Sequence, residues 1–239
     1  MRGLFKTDAY FDELIKKSDH DVNYYGTLVQ KVLEQRGEGD RGVQNGFSIL
    51  QSLYDKRFRM LYTAGTRDNE LVSTYLERLK YFLKTWEKDD SYFELVDVLS
   101  LAVIFDIPNS NEHLALLLSK MKAANYQDYF VDKLLCYLDK SLTNDCQEFL
   151  WGDDFEPIRT IMNSTKEEAV QLLADFLRNQ WYDLHEDCSW YDSHKSKSNS
   201  YCGYWSFDAA AIVKIMGLDD SILRLEQYYP YALMHMQLT

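Results

Sequence analysis

The chain has 239 residues, 46% hydrophobic and 27% charged, a composition typical of a globular protein with one large core or two modest ones. Its net charge of −12 is uneven, because residues 1–88 carry +2 and residues 89–239 carry −14. An acidic surface repels phosphate, so this charge argues against direct binding to nucleic acid or to an anionic membrane. It would attract a basic protein, and the alternative, more common among acidic chains, is that the acidic residues simply keep the protein in solution.

The N-terminal residues lack the apolar region of a secretory signal, and the longest apolar runs are too short to cross a bilayer. The four cysteines follow no framework spacing; they are Cys136, Cys146, Cys188 and Cys202. We therefore expect reduced thiols and a cytoplasmic protein.

Apolar residues recur at three- and four-residue steps from the start of the chain, a spacing that predicts α-helices. Residues 8–35 are expected to form one or two helices, residues 36–46 a glycine-rich loop, and residues 47–61 a further helix. The clearest amphipathic pattern follows, in residues 68–90. Its solvent face is predicted to carry Glu77, Arg78 and Lys84, and its apolar stripe consists of Val72, Tyr75, Leu76, Leu79, Phe82, Leu83 and Trp86.

The segment that begins after Ser91 is apolar nearly all round, which predicts a buried helix with Ser91 as N-cap and Pro108 as stop signal. Helices at 111–123 and 127–141 follow. The next helix begins at a capping signal, Ser164 or Thr165 ahead of Glu167 and Glu168. No segment alternates as a β-strand does, so the sequence predicts an all-α, multi-helix bundle.

Residues 144–164 are less regular than the rest of the chain. They suggest two helical parts, an N-terminal domain at 1–143 and a C-terminal domain at 144–239.

Residues 37–42 read Gly-Glu-Gly-Asp-Arg-Gly and match the spacing of a dinucleotide fingerprint. That motif requires a preceding strand, and here the preceding residues have helical spacing, while Glu38 and Asp40 would lie beside the phosphates. We interpret the motif as a helix–helix loop.

Four side chains able to bind zinc fall within eighteen residues: His185, Cys188, His194 and Cys202. Their spacing matches no familiar zinc module, so the sequence leaves metal binding open and favours ordinary packing and hydrogen bonding. Asp192, His194 and Lys195, or His185 and Glu186, could be drawn into acid–base chemistry, but no phosphate cradle or activated nucleophile accompanies them. We predict no catalytic residue and no cofactor.

The stretch 201–220 combines many residue types found in active sites, yet each has a structural role. Gly203 permits a turn, Ser206 can cap a helix that begins at Phe207, and Asp208 in its first turn suits the helix dipole. The side chains at Ala209–Ala211 are small, which allows a neighbouring helix to approach closely. Gly217 is placed as a C-cap, and Asp219 or Asp220 can cap the next helix. This pattern indicates a structural segment.

The same region resembles the C-terminal domain of the PoNi family of bacterial immunity proteins, which protect cells from PoNe-type DNase toxins of polymorphic toxin systems. The family pattern is carried by Trp181-Tyr182, Ser193-His194-Lys195, Gly203 to Ala211, Gly217 to Asp220, and Tyr229-Pro230-Tyr231. Asp208 replaces the usual glutamate, and Ala232 stands where an acidic residue often follows. The dense match covers residues 181–233, and the N-terminal half agrees more loosely.

The resemblance implies an immunity protein that binds and inhibits a cognate DNase toxin and has no activity of its own. An acidic surface would compete for the toxin's basic DNA-binding groove and speed association. We expect the contacts to come from exposed acidic and aromatic residues outside the helical stripes; the candidates are Asp153, Asp154, Glu156, Glu186, Asp187, Trp190 and Asp192. The alternatives are an acidic helical-repeat adaptor that binds another basic protein and a metal-dependent enzyme.

Overall fold

The computed structural model describes residues 5–66, 69–143, 146–150 and 155–237. Over these ranges the chain forms ten α-helices joined by loops and short 3-10 helices, and it contains no β-strand. The prediction of an all-α fold is confirmed.

The chain folds as two compact units, and neither is continuous in sequence. The first unit comprises residues 1–87, 189–204 and 236–239, and the second comprises residues 88–188 and 205–235. The domain boundary that the sequence predicts after residue 143 falls inside the second unit. The division into an N-terminal and a C-terminal domain stays a prediction.

Three long helices build the first unit: α1 (Asp8–Arg36), α2 (Arg41–Ala64) and α3 (Asn69–Thr85). The helix α2 packs against both α1 and α3. The glycine-rich loop is shorter than predicted, because the Asp40 side chain accepts a hydrogen bond from the N–H of Gly42 (2.8 Å) and starts α2 at Arg41. Gly46 therefore lies inside α2, where a Cβ would collide with Val29 of α1.

The prediction that Arg78 faces solvent is wrong. Its side chain is only 1% exposed, and one guanidinium nitrogen lies 2.9 Å from the Asp55 carboxylate. Arg59 reaches the same carboxylate at 3.3 Å. The amphipathic pattern of α3 fails at this position because a carboxylate on α2 supplies the counter-charge that makes burial of an arginine tolerable.

The second unit contains α4 (Tyr92–Ile104), α5 (Glu112–Ala123), α6 (Tyr129–Leu138), α7 (Glu156–Met162), α8 (Lys166–Asn179), α9 (Phe207–Met216) and α10 (Tyr231–Met234). The central helix is α4, which packs against α6 and α9. Ten of its residues are buried, as its uniformly apolar sequence predicts, and the Ser91 hydroxyl caps it by accepting from the N–H of Glu94.

The caps predicted for α8 and α9 are confirmed. Thr165 and Glu168 form a reciprocal capping box at the start of α8. The Ser206 hydroxyl accepts from the N–H of Ala209, and Gly217 ends α9 in the left-handed region with φ of 62°. Asp219 accepts from the N–H of Ser221 at the start of the 3-10 helix Ser221–Leu225.

Candidate partner-binding site

The segment from Tyr201 to Val213 is buried at every residue. In the second unit, Asp208 accepts hydrogen bonds from the indole N–H of Trp181 (3.1 Å) and from the Ser206 hydroxyl (2.6 Å). The three alanines Ala209, Ala210 and Ala211 are all 0% exposed. This segment can hold the fold in place, but it offers no surface to a partner.

A second buried carboxylate, Asp128, caps α6. Its oxygens accept from the N–H groups of Phe130 (3.0 Å), Val131 (2.9 Å) and Leu150 (2.9 Å) and from the Tyr92 hydroxyl (3.2 Å). Burial raises the pKa of Asp128, and these hydrogen bonds offset the increase only in part. Burial and the neighbouring Asp128 carboxylate raise the pKa of Tyr92 well above its usual value.

The Ser-His-Lys turn lies in the first unit, where Tyr204 organises it. The Tyr204 hydroxyl lies 2.8 Å from Nδ1 of His194 and 3.2 Å from the Ser193 hydroxyl, and it accepts from the backbone N–H of His194 (3.0 Å). The His194 ring stacks on Phe5, with ring centres 4.3 Å apart. Burial lowers the pKa of His194, with Asp192 opposing and Lys195 adding to that change. This histidine has a packing role.

Asp220 and Tyr229, near the end of the sequence pattern described above, belong to a third polar cluster, in the second unit. Asp220 is 7% exposed, accepts from the Tyr229 hydroxyl (2.7 Å) and lies 2.9 Å from Nε2 of His235. The rings of Tyr231 and His235 are 4.2 Å apart. Asp220 thereby ties the residues after α9 to the C-terminal helix α10.

The described candidate contact residues are divided between the two units. Asp153 and Asp154 lie outside the described residues. Glu156 is exposed at the start of α7 and pairs with Arg159 at 2.9 Å. Glu186 and Asp187 are adjacent and exposed after the 3-10 helix Asp183–His185.

Trp190 and Asp192 belong to the first unit, whereas Glu186 and Asp187 belong to the second. Trp190 is half-buried, and its ring centre lies 5.4 Å from that of Tyr204. Asp192 has a φ of 54° and pairs with Lys195 at 2.7 Å. The structure therefore brings Glu186 together with Asp187 and Asp192 together with Lys195. Their role in binding a partner stays a prediction.

The four zinc-capable side chains are engaged in other ways. Nδ1 of His185 lies 2.6 Å from the Trp181 carbonyl oxygen, and burial raises the pKa of the Cys202 thiol to about 12. His185 and Cys188 belong to the second unit, and His194 and Cys202 to the first. Among the residues that the structure describes, no group of three or more His, Cys, Asp or Glu side chains is arranged to hold a metal ion.

Sequence reasoning missed one exposed apolar feature. Leu225 is 92% exposed and Ile222 is 43% exposed, both in the 3-10 helix Ser221–Leu225. Their spacing resembles that of core residues in any short helix, so no local signal distinguishes them. None of the described helices is long and apolar enough to cross a membrane.

Comparison with known proteins shows which family the chain belongs to. The family model described as PoNe immunity protein (PoNi), N-terminal, matches residues 13–116, and the model described as PoNe immunity proteins (PoNi), C-terminal, matches residues 126–233. No curated protein matches the chain.

Among solved structures, the crystal structure of protein PA2201 from Pseudomonas aeruginosa matches with a TM-score of 0.62 and 17% identity, covering 92% of this chain and 87% of that one. At that identity the likeness shows a shared fold alone. The two family models together span most of the sequence, so the chain belongs to the PoNi family of immunity proteins, which act against PoNe toxins.

Proposed function

We propose that this protein binds a cognate DNase toxin in the cytoplasm and inhibits it by covering the toxin's DNA-binding groove with an acidic surface. It needs no catalytic activity of its own for this role. A DNase must attract a polyanion, so its substrate groove is basic, and a protein surface rich in carboxylates competes with DNA for that groove.

The observation that carries this proposal is the division of charge between the two units. The second unit contains 24 aspartates and glutamates against 10 lysines and arginines, a net −14, whereas the first contains 14 against 16, a net +2. Only a few of these carboxylates, such as Asp128 and Asp208, are buried. The remainder supply a field that can steer a basic protein toward the second unit.

Steered association suits an immunity protein. A nuclease that is free in the cytoplasm damages DNA until it is captured, so the rate of association matters as much as the final affinity. Complementary charge raises association rates and makes them sensitive to salt. Contacts of this kind require exposed carboxylates, for which Glu156, Glu186 and Asp187 are candidates. Asp153, Asp154 and Asp192 are further acidic candidates, and Trp190 is the aromatic one.

The test uses the purified protein and, as candidate partners, purified PoNe-type DNase toxins. We expect the protein to abolish DNA cleavage by the toxin at equimolar concentration, and we expect excess duplex DNA to slow formation of the complex. Cleavage that continues with the complex fully formed would contradict groove blocking, and a failure to bind the toxin would contradict the proposal as a whole.

A charge-reversed variant tests the acidic surface directly. Asp153→Lys, Asp154→Lys and Glu156→Lys together should slow toxin capture, and the defect should shrink as salt increases. The matched control reverses Asp8, Asp12 and Glu13 on α1, three exposed carboxylates of the nearly neutral first unit. If both variants capture the toxin as fast as the wild type at low salt, these three acidic positions do not contribute to the interface.

A further inference from the structure

The most exposed large apolar side chain of the described residues is Leu225, at 92%. It ends the 3-10 helix Ser221–Leu225, and Ile222, at 43% exposed, stands three residues before it. Side chains at positions i and i+3 of a 3-10 helix are eclipsed, because this helix has three residues per turn. Ile222 and Leu225 therefore lie on one side, and we call the pair the apolar ridge.

The backbone under the apolar ridge is held firmly on both sides. Leu223, between the two ridge residues, is 0% exposed, and Asp220 just before them bonds Tyr229 and His235. After the ridge, the Glu226 carboxylate accepts from the Arg178 guanidinium of α8 (3.0 Å from Nε). Before it, the Lys166 ammonium of α8 donates to the Gly217 carbonyl (3.1 Å). The ridge is thus preorganised, and ordering it on binding costs little entropy.

The charges around the apolar ridge leave an acidic rim. The ridge segment carries three carboxylates, Asp219, Asp220 and Glu226, against one cation, Arg224. Arg224 lies over the Tyr231 ring at 5.8 Å, and Arg178 of α8 pairs with Glu226 and Asp175. Asp219 carries no ion pair within the described part of the chain, and the ridge belongs to the second unit, whose net charge is −14. An apolar centre with an acidic rim is complementary to an apolar pocket bordered by lysine or arginine.

We propose that Ile222 and Leu225 are the anchor by which this protein grips its nuclease toxin, inserting into an apolar pocket beside the toxin's basic groove. This inference rests on the proposed function, and it adds which residues make the contact with the toxin. A few apolar side chains at the centre of an interface carry most of the binding energy, while surrounding charges set the rate of association. A second copy of this chain is disfavoured as the occupant, since the acidic rim would face itself.

The test compares Leu225→Asp with Leu116→Asp. Leu116 is 56% exposed on α5 of the same unit, so the control adds the same charge at another exposed leucine. The probe is the PoNe-type DNase that the wild-type protein inhibits, inactivated by an active-site substitution. We expect Leu225→Asp to raise Kd at least about 30-fold, mainly through faster dissociation and at all salt concentrations, and Leu116→Asp to change it less than about twofold.

Leu225→Ala and Ile222→Ala complete the test, because they remove apolar contact without adding charge. Each should weaken binding by about five- to tenfold, with an unchanged melting temperature. If all ridge variants bind the toxin as the wild type does, the anchor is wrong while the proposed function stands. If the wild type itself fails to bind, both are wrong. Loss of a dimer with toxin binding unaffected would assign the ridge to a self-interface and overturn the anchor.

Discussion

In the first unit, Asp55 lies between the guanidinium groups of Arg78 and Arg59. In the second unit, the hydrogen bonds that Asp128 accepts from described residues come from backbone N–H groups and a tyrosine hydroxyl. Burial alone would raise the pKa of Asp55, but Arg78, and then Arg59, outweigh it and lower the pKa. Burial raises the pKa of Asp128, and the hydrogen bonds from Val131, Leu150, Tyr92 and Phe130 oppose that change without reversing it.

Both units bury a carboxylate, but they stabilise it with different groups. The nearly neutral first unit has arginines available for its interior, and it uses them to compensate a carboxylate. The second unit carries a net −14 and satisfies the buried carboxylates of Asp128 and Asp208 with neutral donors, which are backbone N–H groups, hydroxyls and an indole N–H. The structural carboxylates of the second unit are therefore distinct from the exposed ones that we propose meet the toxin.

The largest expected effect is in the first unit. Asp55→Ala removes the carboxylate from beside Arg78, which is 1% exposed, and breaking a buried ion pair by removing one member costs about 3–5 kcal/mol. The matched control is Asp19→Ala, whose side chain is 51% exposed in its pair with Arg57; we expect less than about 1 kcal/mol there. Urea unfolding measures both, and similar costs would contradict the buried-pair interpretation.

The next effect concerns the packed helix α9 of the second unit. Ala210 is 0% exposed, so Ala210→Leu must overpack the helix and should reduce the free energy of unfolding by about 1–3 kcal/mol. Ala115→Leu, at an exposed alanine of α5, should leave stability nearly unchanged. A thermal melt in which both variants behave alike would show that α9 has room beside it.

A smaller loss is expected for Asp128→Asn. The amide oxygen can still accept from the N–H groups of Phe130 and Val131, but the amide nitrogen cannot accept from the N–H of Leu150. One unsatisfied donor costs about 1–3 kcal/mol, offset in part because the neutral side chain is easier to bury. The comparison of the two units is wrong if this variant is destabilised as strongly as Asp55→Ala.

As pH falls, Asp55 and Asp128 should change the free energy of unfolding in opposite directions. The pKa of Asp55 is lowered on folding, so its contribution is complete above the unfolded pKa of about 3.9 and is lost as pH falls through the lower folded value. The pKa of Asp128 is raised, so the folded state takes up its proton first and gains stability as pH falls. Between pH 6 and 3, the stability of Asp55→Asn should fall less steeply than that of the wild type, and the stability of Asp128→Asn more steeply.

The smallest effect on stability should come from Glu186→Lys with Asp187→Lys. Both side chains are exposed, so the free energy of unfolding should change by less than about 0.5 kcal/mol. Association with the toxin should nevertheless slow, most at low salt. Stopped-flow binding beside a thermal melt tests both parts; an unchanged association rate would remove this pair from the interface.

Part of the candidate site could be read from the sequence. The caps at Ser91, Thr165, Ser206 and Gly217 were predictable because each depends on neighbours within four residues. The structural role of the signature residues follows from the same local chemistry. The apolar ridge was not predictable, because the exposure of Leu225 depends on which side of its short helix the rest of the unit covers.

The sequence by itself determined the helical class, most helix positions, the capping residues and the uneven charge, since all of these depend on composition or on short-range spacing. Only the tertiary structure decided that Arg78 is buried, because its counter-charge, Asp55, lies on another helix twenty-three residues away. It also decided that residues 189–204 belong to the first unit, where the carbonyl of Cys202 accepts from the Thr63 hydroxyl at 2.7 Å. Contacts between residues so distant in sequence are set by packing, and no local pattern encodes them.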